Sequence, residues 1–313
     1  MKLRHLPAVF AFFLATGASA ADPQLLKLIM PDAKVVSGID VDHVKGSPFG
    51  QFLLSQFLGE AGFKEIVGAT GFDPRRDVHE VVMASPGDPQ KKSALLIVRG
   101  TFDAPRIVTL LQASGMKSET YNGVLMFSGM GGVSQAVAFL DNSVVVNGDP
   151  ISVRGAIDRR STASALGVEL LNKISQTSAN KDAWIVSLAP VSAFAAVAPD
   201  RTVRGALQGD LFKAIEQSSG GVRFGTVIEI SGELTSRSSA DASSLADVLK
   251  FLLSMAQTNA PAGQAAQFAA LLKNLTVSAE SNAVKLSGAI PEIDLETALR
   301  PASRQLRGQT PRI

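Results

Sequence analysis

The chain predicts an α+β fold made of two antiparallel-sheet sandwiches with helices on one face, a tandem of ferredoxin-like units. Three observations predict it. A β-rich run meeting a glycine recurs at Val36-Ser37-Gly38-Ile39, Val98-Arg99-Gly100-Thr101-Phe102, Ile230-Ser231-Gly232-Glu233-Leu234 and Leu286-Ser287-Gly288-Ala289-Ile290, at near-equal spacing in each half, which is the mark of a duplicated unit. Each half reads strand, helix, strand, strand, helix. Between the halves lies a β-meander with short turns.

In the first unit, Ala33 to Val41 reads as a strand, and Pro48 to Leu58 as a helix with Phe49, Phe52, Leu53 and Phe57 near helical spacing. Val78 to Met83 and Ser93 to Val98 read as strands flanking the turn-rich Ser85-Pro86-Gly87-Asp88-Pro89. Asp103 is an N-cap with Pro105 early in its helix, Ile107, Leu110 and Leu111 form the apolar face, and Gly115 closes it. The meander follows as Gly123 to Ser128, Gln135 to Leu140 and Ser143 to Asn147. Asp149-Pro150 opens a helix with Val153 and Ile157. Leu166 to Ile174 is a further helix, Ala183 to Leu188 a strand, and Val191 to Ser218 reads as short helical segments.

In the second unit, Thr226 to Leu234 is a strand, and Ser239 or Asp241 opens a helix carrying Leu245, Val248, Leu249 and Leu252. Helix resumes from Ala266 to Leu272 after a loop at Asn259 to Gly263. Leu275 to Ala279 and Ala283 to Ser287 form a hairpin across Glu280-Ser281-Asn282, and Pro291 to Leu299 closes the unit. The predicted organisation is 1–20 signal peptide, 21–160 first unit with the meander, 161–300 second unit, and 301–313 a flexible basic tail.

Lys2 and Arg4, the apolar run from Ala8 to Thr16 and the small residues Ala18-Ser19-Ala20 read as a cleavable export signal, with the mature chain starting near Ala21. The run is far short of the roughly 20 residues that cross a bilayer. The expected location is periplasmic or extracellular. Lys2 and Arg4 leave with the signal, which brings the 30 basic residues level with the 28 acidic ones and removes the footprint of a nucleic-acid binder. Zero cysteines in an exported chain exclude a disulfide framework and thiolate chemistry. With His5 in the signal, only His43 and His79 remain, too few for a three-histidine metal centre. Trp184 and Tyr121 are alone of their kinds, which disfavours a carbohydrate-binding surface.

The stretch from Pro31 to Arg159, with PDAKVVSGIDV, SPFGQFLL, TGFDPRRDVHEVV, YNGVLMF, AVAFLDNSVVVNGD and VRGAIDR, resembles an uncharacterised family of exported bacterial proteins with tandem α+β units. The hairpin ending in SGAIP is compatible with the same plan. That resemblance implies export and fold, and it brings no activity and no catalytic residue.

Two polar clusters invite a chemical reading. Asp40, Asp42 and His43 are one; on a continued strand the aspartates share a face and His43 points away, which is poor metal geometry, and Asp42 is better placed as a cap. Asp73, Asp77, His79 and Glu80 are the other, pairing carboxylate with imidazole as a general acid and base would be paired. The same letters spell a turn, with Asp73 as cap, Pro74 at the first helical position and an alternating strand behind them. Gly129-Met130-Gly131-Gly132 lacks the helix start of a phosphate cradle and reads as a hairpin loop. Ser114 with Lys117, and Ser178 with Lys181, match S-x-x-K without its companion motifs, and Asn274 with Thr276 fits a glycosylation acceptor. No catalytic, cofactor-binding or metal residue is therefore assigned and no cofactor is implied.

The sequence points first to a non-catalytic interaction or scaffold protein of the cell envelope, partnered by an unidentified protein or envelope component. A carrier of an apolar or lipid ligand is the alternative, with its pocket expected among the Asp241 to Leu272 helices, where Phe251, Met255 and Phe268 lie. An extracytoplasmic hydrolase acting near Asp73 to Glu80 is the third reading.

Overall fold

The computed structural model describes residues 21–57, 67–68, 70–88, 90–91, 93–113, 115–129, 135–193, 209–258 and 264–307, with backbone alone at 56–57, 264–265, 268 and 300–307. The expected export signal, the glycines at 131–132, the loop at 259–263 and the end of the tail lie outside these residues, as do Ser114 and much of 191–218. Twelve strands are present: β1 (Val35–Asp40), β2 (Val78–Ser85), β3 (Leu95–Gly100), β4 (Lys117–Tyr121), β5 (Val124–Ser128), β6 (Ala136–Phe139), β7 (Val144–Gly148), β8 (Ala183–Ser187), β9 (Ile215–Arg223), β10 (Val227–Ser236), β11 (Leu275–Glu280) and β12 (Ala283–Pro291). Eleven helices accompany them among the described residues: α1 (Pro23–Leu26), α2 (Val41–Gly46), α3 (Pro48–Phe57), α4 (Pro74–Asp77), α5 (Ala104–Ala113), α6 (Pro150–Arg159), α7 (Val168–Ser178), α8 (Asp210–Lys213), α9 (Ser239–Thr258), α10 (Gln264–Leu272) and α11 (Glu292–Arg307).

The α+β class with antiparallel pairing is as the sequence predicts. The strands of the two halves, however, hydrogen-bond into one sheet instead of two, in the order β11-β12-β10-β9-β8-β1-β2-β3-β7-β6-β5-β4. The link is β8, which pairs with β1 on one side and β9 on the other. Every pairing is antiparallel, so the parallel crossover of a split βαβ unit is not formed by these strands. The halves also pair differently: β1 lies beside the next strand, β2, whereas β10 lies beside β12. The recurring glycines serve different ends. A Cβ on Gly38 would sit 2.5 Å from the Trp184 indole, one on Gly100 would sit 2.3 Å from the Asp77 carbonyl oxygen, and one on Gly232 would meet nothing closer than 3.7 Å.

Following register from strand to strand separates two faces. The first carries Val36, Trp184, Val186, Val82, Leu95, Ile97, Val146, Ala138 and Met126, and in this half it is fully packed. Its cover is α6 and α7 together with the segment right after the expected signal, where Leu25 and Ile29 are wholly buried. Burying each such side chain stabilises the fold by about 1.5–3 kcal/mol. The segment is tied down by the Ala21 amide donating to Ser178 Oγ (3.2 Å) and by the Arg159 guanidinium donating to Leu28 O (2.8 Å). In the other half the packing is reversed. Ile228, Ile230, Leu234, Val284 and Ile290 on the second face are covered by α9, α10 and α11, while the first face shows Ser219, Ser231, Glu233, Ser278 and Ser287 in a polar groove beside α7.

Candidate functional site

β1, β2, β3 and β7 are apolar at both parities: VVSGI, VVM, LLIV and VVV each run on without the polar alternation of a half-solvated strand. One parity fills the packed first face. The other gives the second face a floor of Ile39, Val81, Leu96, Val98 and Val145, extended by Phe139 of β6 and Ala183 of β8.

Helices arch over this floor without filling the space beneath. Val41 and Val44 of α2, Leu53 and Leu54 of α3 and Ile107 of α5 form the walls, and Phe72, Phe102 and Phe224 close the ends. The chamber is a cleft partly open to solvent, with a volume of about 670 Å³, within the 300–1,000 Å³ usual for small-molecule sites. Stacked rings brace its margin, Phe72 on Phe102 at 5.4 Å and Phe49 on Phe224 at 6.1 Å between centroids. Among the described lining side chains only Thr70 is polar, and its hydroxyl already accepts from the Phe72 amide at 3.0 Å. A cavity with such walls gives water no partners and favours hydrocarbon. The chamber is thus in the first half of the sheet, not among the Asp241 to Leu272 helices where the sequence placed it.

The two polar clusters meet at the edge of this chamber. Asp40, not Asp42, caps α2, accepting from the His43 amide at 3.0 Å. Asp42 instead reaches across to His79, whose Nδ1 lies 2.9 Å from Asp42 Oδ2 while its Nε2 lies 3.2 Å from Thr101 Oγ1. His79 sits where the register of β2 against β3 slips between Val78 and Glu80, and such a bulge re-aims a side chain. The three residues are sequence neighbours of the chamber-lining Val41, Val78 and Phe102.

Aspartate, imidazole and hydroxyl in this order have the connectivity of a nucleophilic triad. The amides of Gly100, Thr101 and Phe102 already donate to Ser143 O (2.8 Å), Asp77 O (2.7 Å) and Asn142 O (3.0 Å). The contacts of His79 with Asp42 and Thr101 tie α2, a wall of the chamber, to β2 and the end of β3. Lys45 adds to them, its Nζ donating to Asp42 Oδ1 at 3.2 Å and to the Val78 carbonyl.

The remaining candidates have structural work. Asp73 caps α4 with Pro74 in the first turn, and the Arg75 guanidinium holds its carboxyl below the usual range. Arg76 does the same for Asp77, at 2.6 Å from Oδ1. Glu80 points to the first face beside Arg99 and Asp22; burial pushes its carboxyl up, against the Asp22 amide and the Arg99 charge. His43 lies between Asp40 (3.1 Å) and Asp182 (3.5 Å), and no group of three or more metal-ligating side chains with suitable geometry occurs among the described residues. Ser178 is buried and its hydroxyl accepts from the Ala21 amide, the Lys181 amide donates to the Ser178 carbonyl in a turn, and Asn274 lies in the turn between α10 and β11. No helix among the described residues is long and apolar enough to cross a membrane.

The chain matches no protein-family model and no curated protein. Its fold is similar to that of TP0453, a Treponema protein, in crystal form IV, with a TM-score of 0.52 and 13% identity over 90% of this chain and 97% of that one. Crystal form I of the same protein gives a TM-score of 0.49 at 12% identity, covering 90% of this chain and 98% of the other.

Proposed function

We propose that this protein is a non-catalytic carrier of an apolar ligand, holding a hydrocarbon chain against the second face of its sheet. The single observation behind this reading is the 670 Å³ chamber, whose only polar side chain among the described lining residues is already hydrogen-bonded. Of the readings open from sequence, it favours carriage over a bare scaffold, because a scaffold has no use for an unfilled apolar space. An unfilled space forfeits dispersion contacts along its lining, a cost that a bound chain reverses. The signal-like Met1 to Ala20 supports placing that function in the cell envelope.

The test is an equilibrium titration of purified protein, stripped of lipid, with a fluorescent fatty-acyl probe. Carriage predicts saturable binding at one probe per chain that unlabelled monoacylglycerol reverses. Non-saturating emission, or saturation unaffected by the competitor, would contradict it.

A further inference from the structure

The first face of the second half holds a cavity of another kind. It is a groove of about 430 Å³ between α7 and the strands β9 to β12, on the side of the sheet away from the chamber. Helix α7 contributes Lys173, Gln176 and Thr177 from one helical side, and Lys181 follows just past its end. The floor is built of register rows. Ser219, Glu233, Lys285 and Ser278 stand side by side across β9, β10, β12 and β11, and Gly221, Ser231 and Ser287 form the row beside them.

Strand β9 has a composition that burial does not explain. It pairs on both sides yet carries Ser218-Ser219-Gly220-Gly221, and glycine inside a paired strand weakens it and marks a close approach to the backbone. At Gly221 the approaching group is Lys181. A Cβ there would sit 2.9 Å from Lys181 Cγ, so the lysine stem lies along bare backbone at the register position next to Ser231.

Charge singles out the same lysine. Lys173 is paired with Glu233, and Lys285 with Glu280. Lys181 has no ion pair among the described residues, and the carboxylate of the adjacent Asp182 is taken by the Phe224 amide at 2.6 Å with His43 at 3.5 Å. Three lysines against two glutamates leave the lining one positive charge. The hydroxyls of Thr177, Ser219, Ser231 and Ser278 and the Gln176 amide have no side-chain hydrogen bond among the described residues either.

These groups select a ligand chemistry. Lysine is a point charge suited to phosphate, and the described lining has no arginine to grip a carboxylate with two parallel bonds. Hydroxyls and an amide, each donor and acceptor, match a partner that itself carries several hydroxyls. The lining has no aromatic ring on which the face of a sugar could rest, which favours an open polyol. We propose that this groove binds a small phosphorylated polyol, with its phosphate at Lys181 and Ser231 and its hydroxyls along the row from Ser219 to Ser278.

The site lies on the opposite face from the chamber, and its test does not depend on what the chamber holds. In isothermal titration calorimetry at low salt, glycerol 3-phosphate should give saturable heat at one ligand per chain. Inorganic phosphate should bind about tenfold more weakly, and glycerol should give no saturable heat. Lys181→Met should weaken glycerol 3-phosphate about tenfold or more with an unchanged midpoint in urea unfolding, Ser231→Ala should weaken it by less, and Val98→Phe should leave it as in the wild type. Vesicles containing phosphatidylglycerol separate two sources of this chemistry: competition assigns the phosphate of a lipid headgroup, and its absence assigns a free polyol phosphate. No saturable heat with glycerol 3-phosphate, equal binding of inorganic phosphate, or undiminished binding by Lys181→Met would each overturn the proposal.

Discussion

Val98 is at the centre of the chamber floor, opposite Val81 on one neighbouring strand and Val145 on the other. Val98→Phe adds four carbons to the side chain at a position with open space above it. The phenyl ring should displace about four methylenes of a bound chain. At about 0.8 kcal/mol per buried methylene, the longest ligands should lose about 3 kcal/mol, or more than a hundredfold in affinity. Short chains that never reached that part of the cavity should bind as before. The assay is competition by a series of saturated monoacylglycerols of increasing length against a fluorescent acyl probe, for wild type and variant. The length at which affinity stops rising should fall by about four carbons in the variant. An equal loss at every length would mean that the substitution damaged the fold, and an unchanged length profile would mean that the ligand lies elsewhere; either result refutes the reasoning.

Other residues give independent checks. Gly38→Ala puts a methyl group 2.5 Å from the Trp184 ring and should cost about 1–3 kcal/mol in urea unfolding; unaltered stability would show that the ring is free to move. Glu80 has its carboxyl raised by burial, so folding is penalised as pH rises from the unfolded carboxylate value, about 4.3, through the raised one. Glu80→Gln should therefore raise the melting temperature at neutral pH and lose that advantage on acidification, and a gain of equal size at both would refute the assignment. Burial pushes the Asp149 carboxyl up, but hydrogen bonds from the Ser152 hydroxyl and amide, from Ser93 and from the Ile151 amide outweigh it and leave it low. Its stabilisation is present above about pH 3.9 and lost as pH falls through the depressed value. Asp149→Ala should cost about 1 kcal/mol at neutral pH, read by the same unfolding measurement, with a difference that narrows in acid.

Strands rich in β-branched residues were legible because their pattern and their burial agree. Val35–Asp40, Val78–Ser85 and Leu95–Gly100 all appear within a few residues of where the sequence places them. So do the caps Asp73, Asp103 and Asp149, whose short side chains satisfy helix amides locally. Two strands escaped that reading. Lys117–Tyr121 is an edge strand with almost wholly exposed polar residues, and Ile215–Arg223 spells IEQSSGGVR, a composition of turns, yet it pairs on both sides because β8 and β10 supply the ladder partners. Sheet order depends on which strand edges meet, and neither hydropathy nor turn chemistry encodes that.

The chamber has a signal in the sequence. Runs such as LLIV and VVV in an antiparallel sheet demand cover on both faces, and the short α2, α3 and α5 segments offer too little side chain to fill the second one. The approach of His79 to Asp42 had none, since it arises from a bulge in β2 and a helix start more than thirty residues apart in the chain.

Native mass spectrometry of the protein purified without detergent from a lipid-containing host tests the central claim most directly. Carriage predicts a population heavier than the bare polypeptide by the mass of one apolar molecule, lost on organic extraction and reduced in Val98→Phe. A single bare mass in both proteins, persisting after incubation with monoacylglycerol, would contradict it.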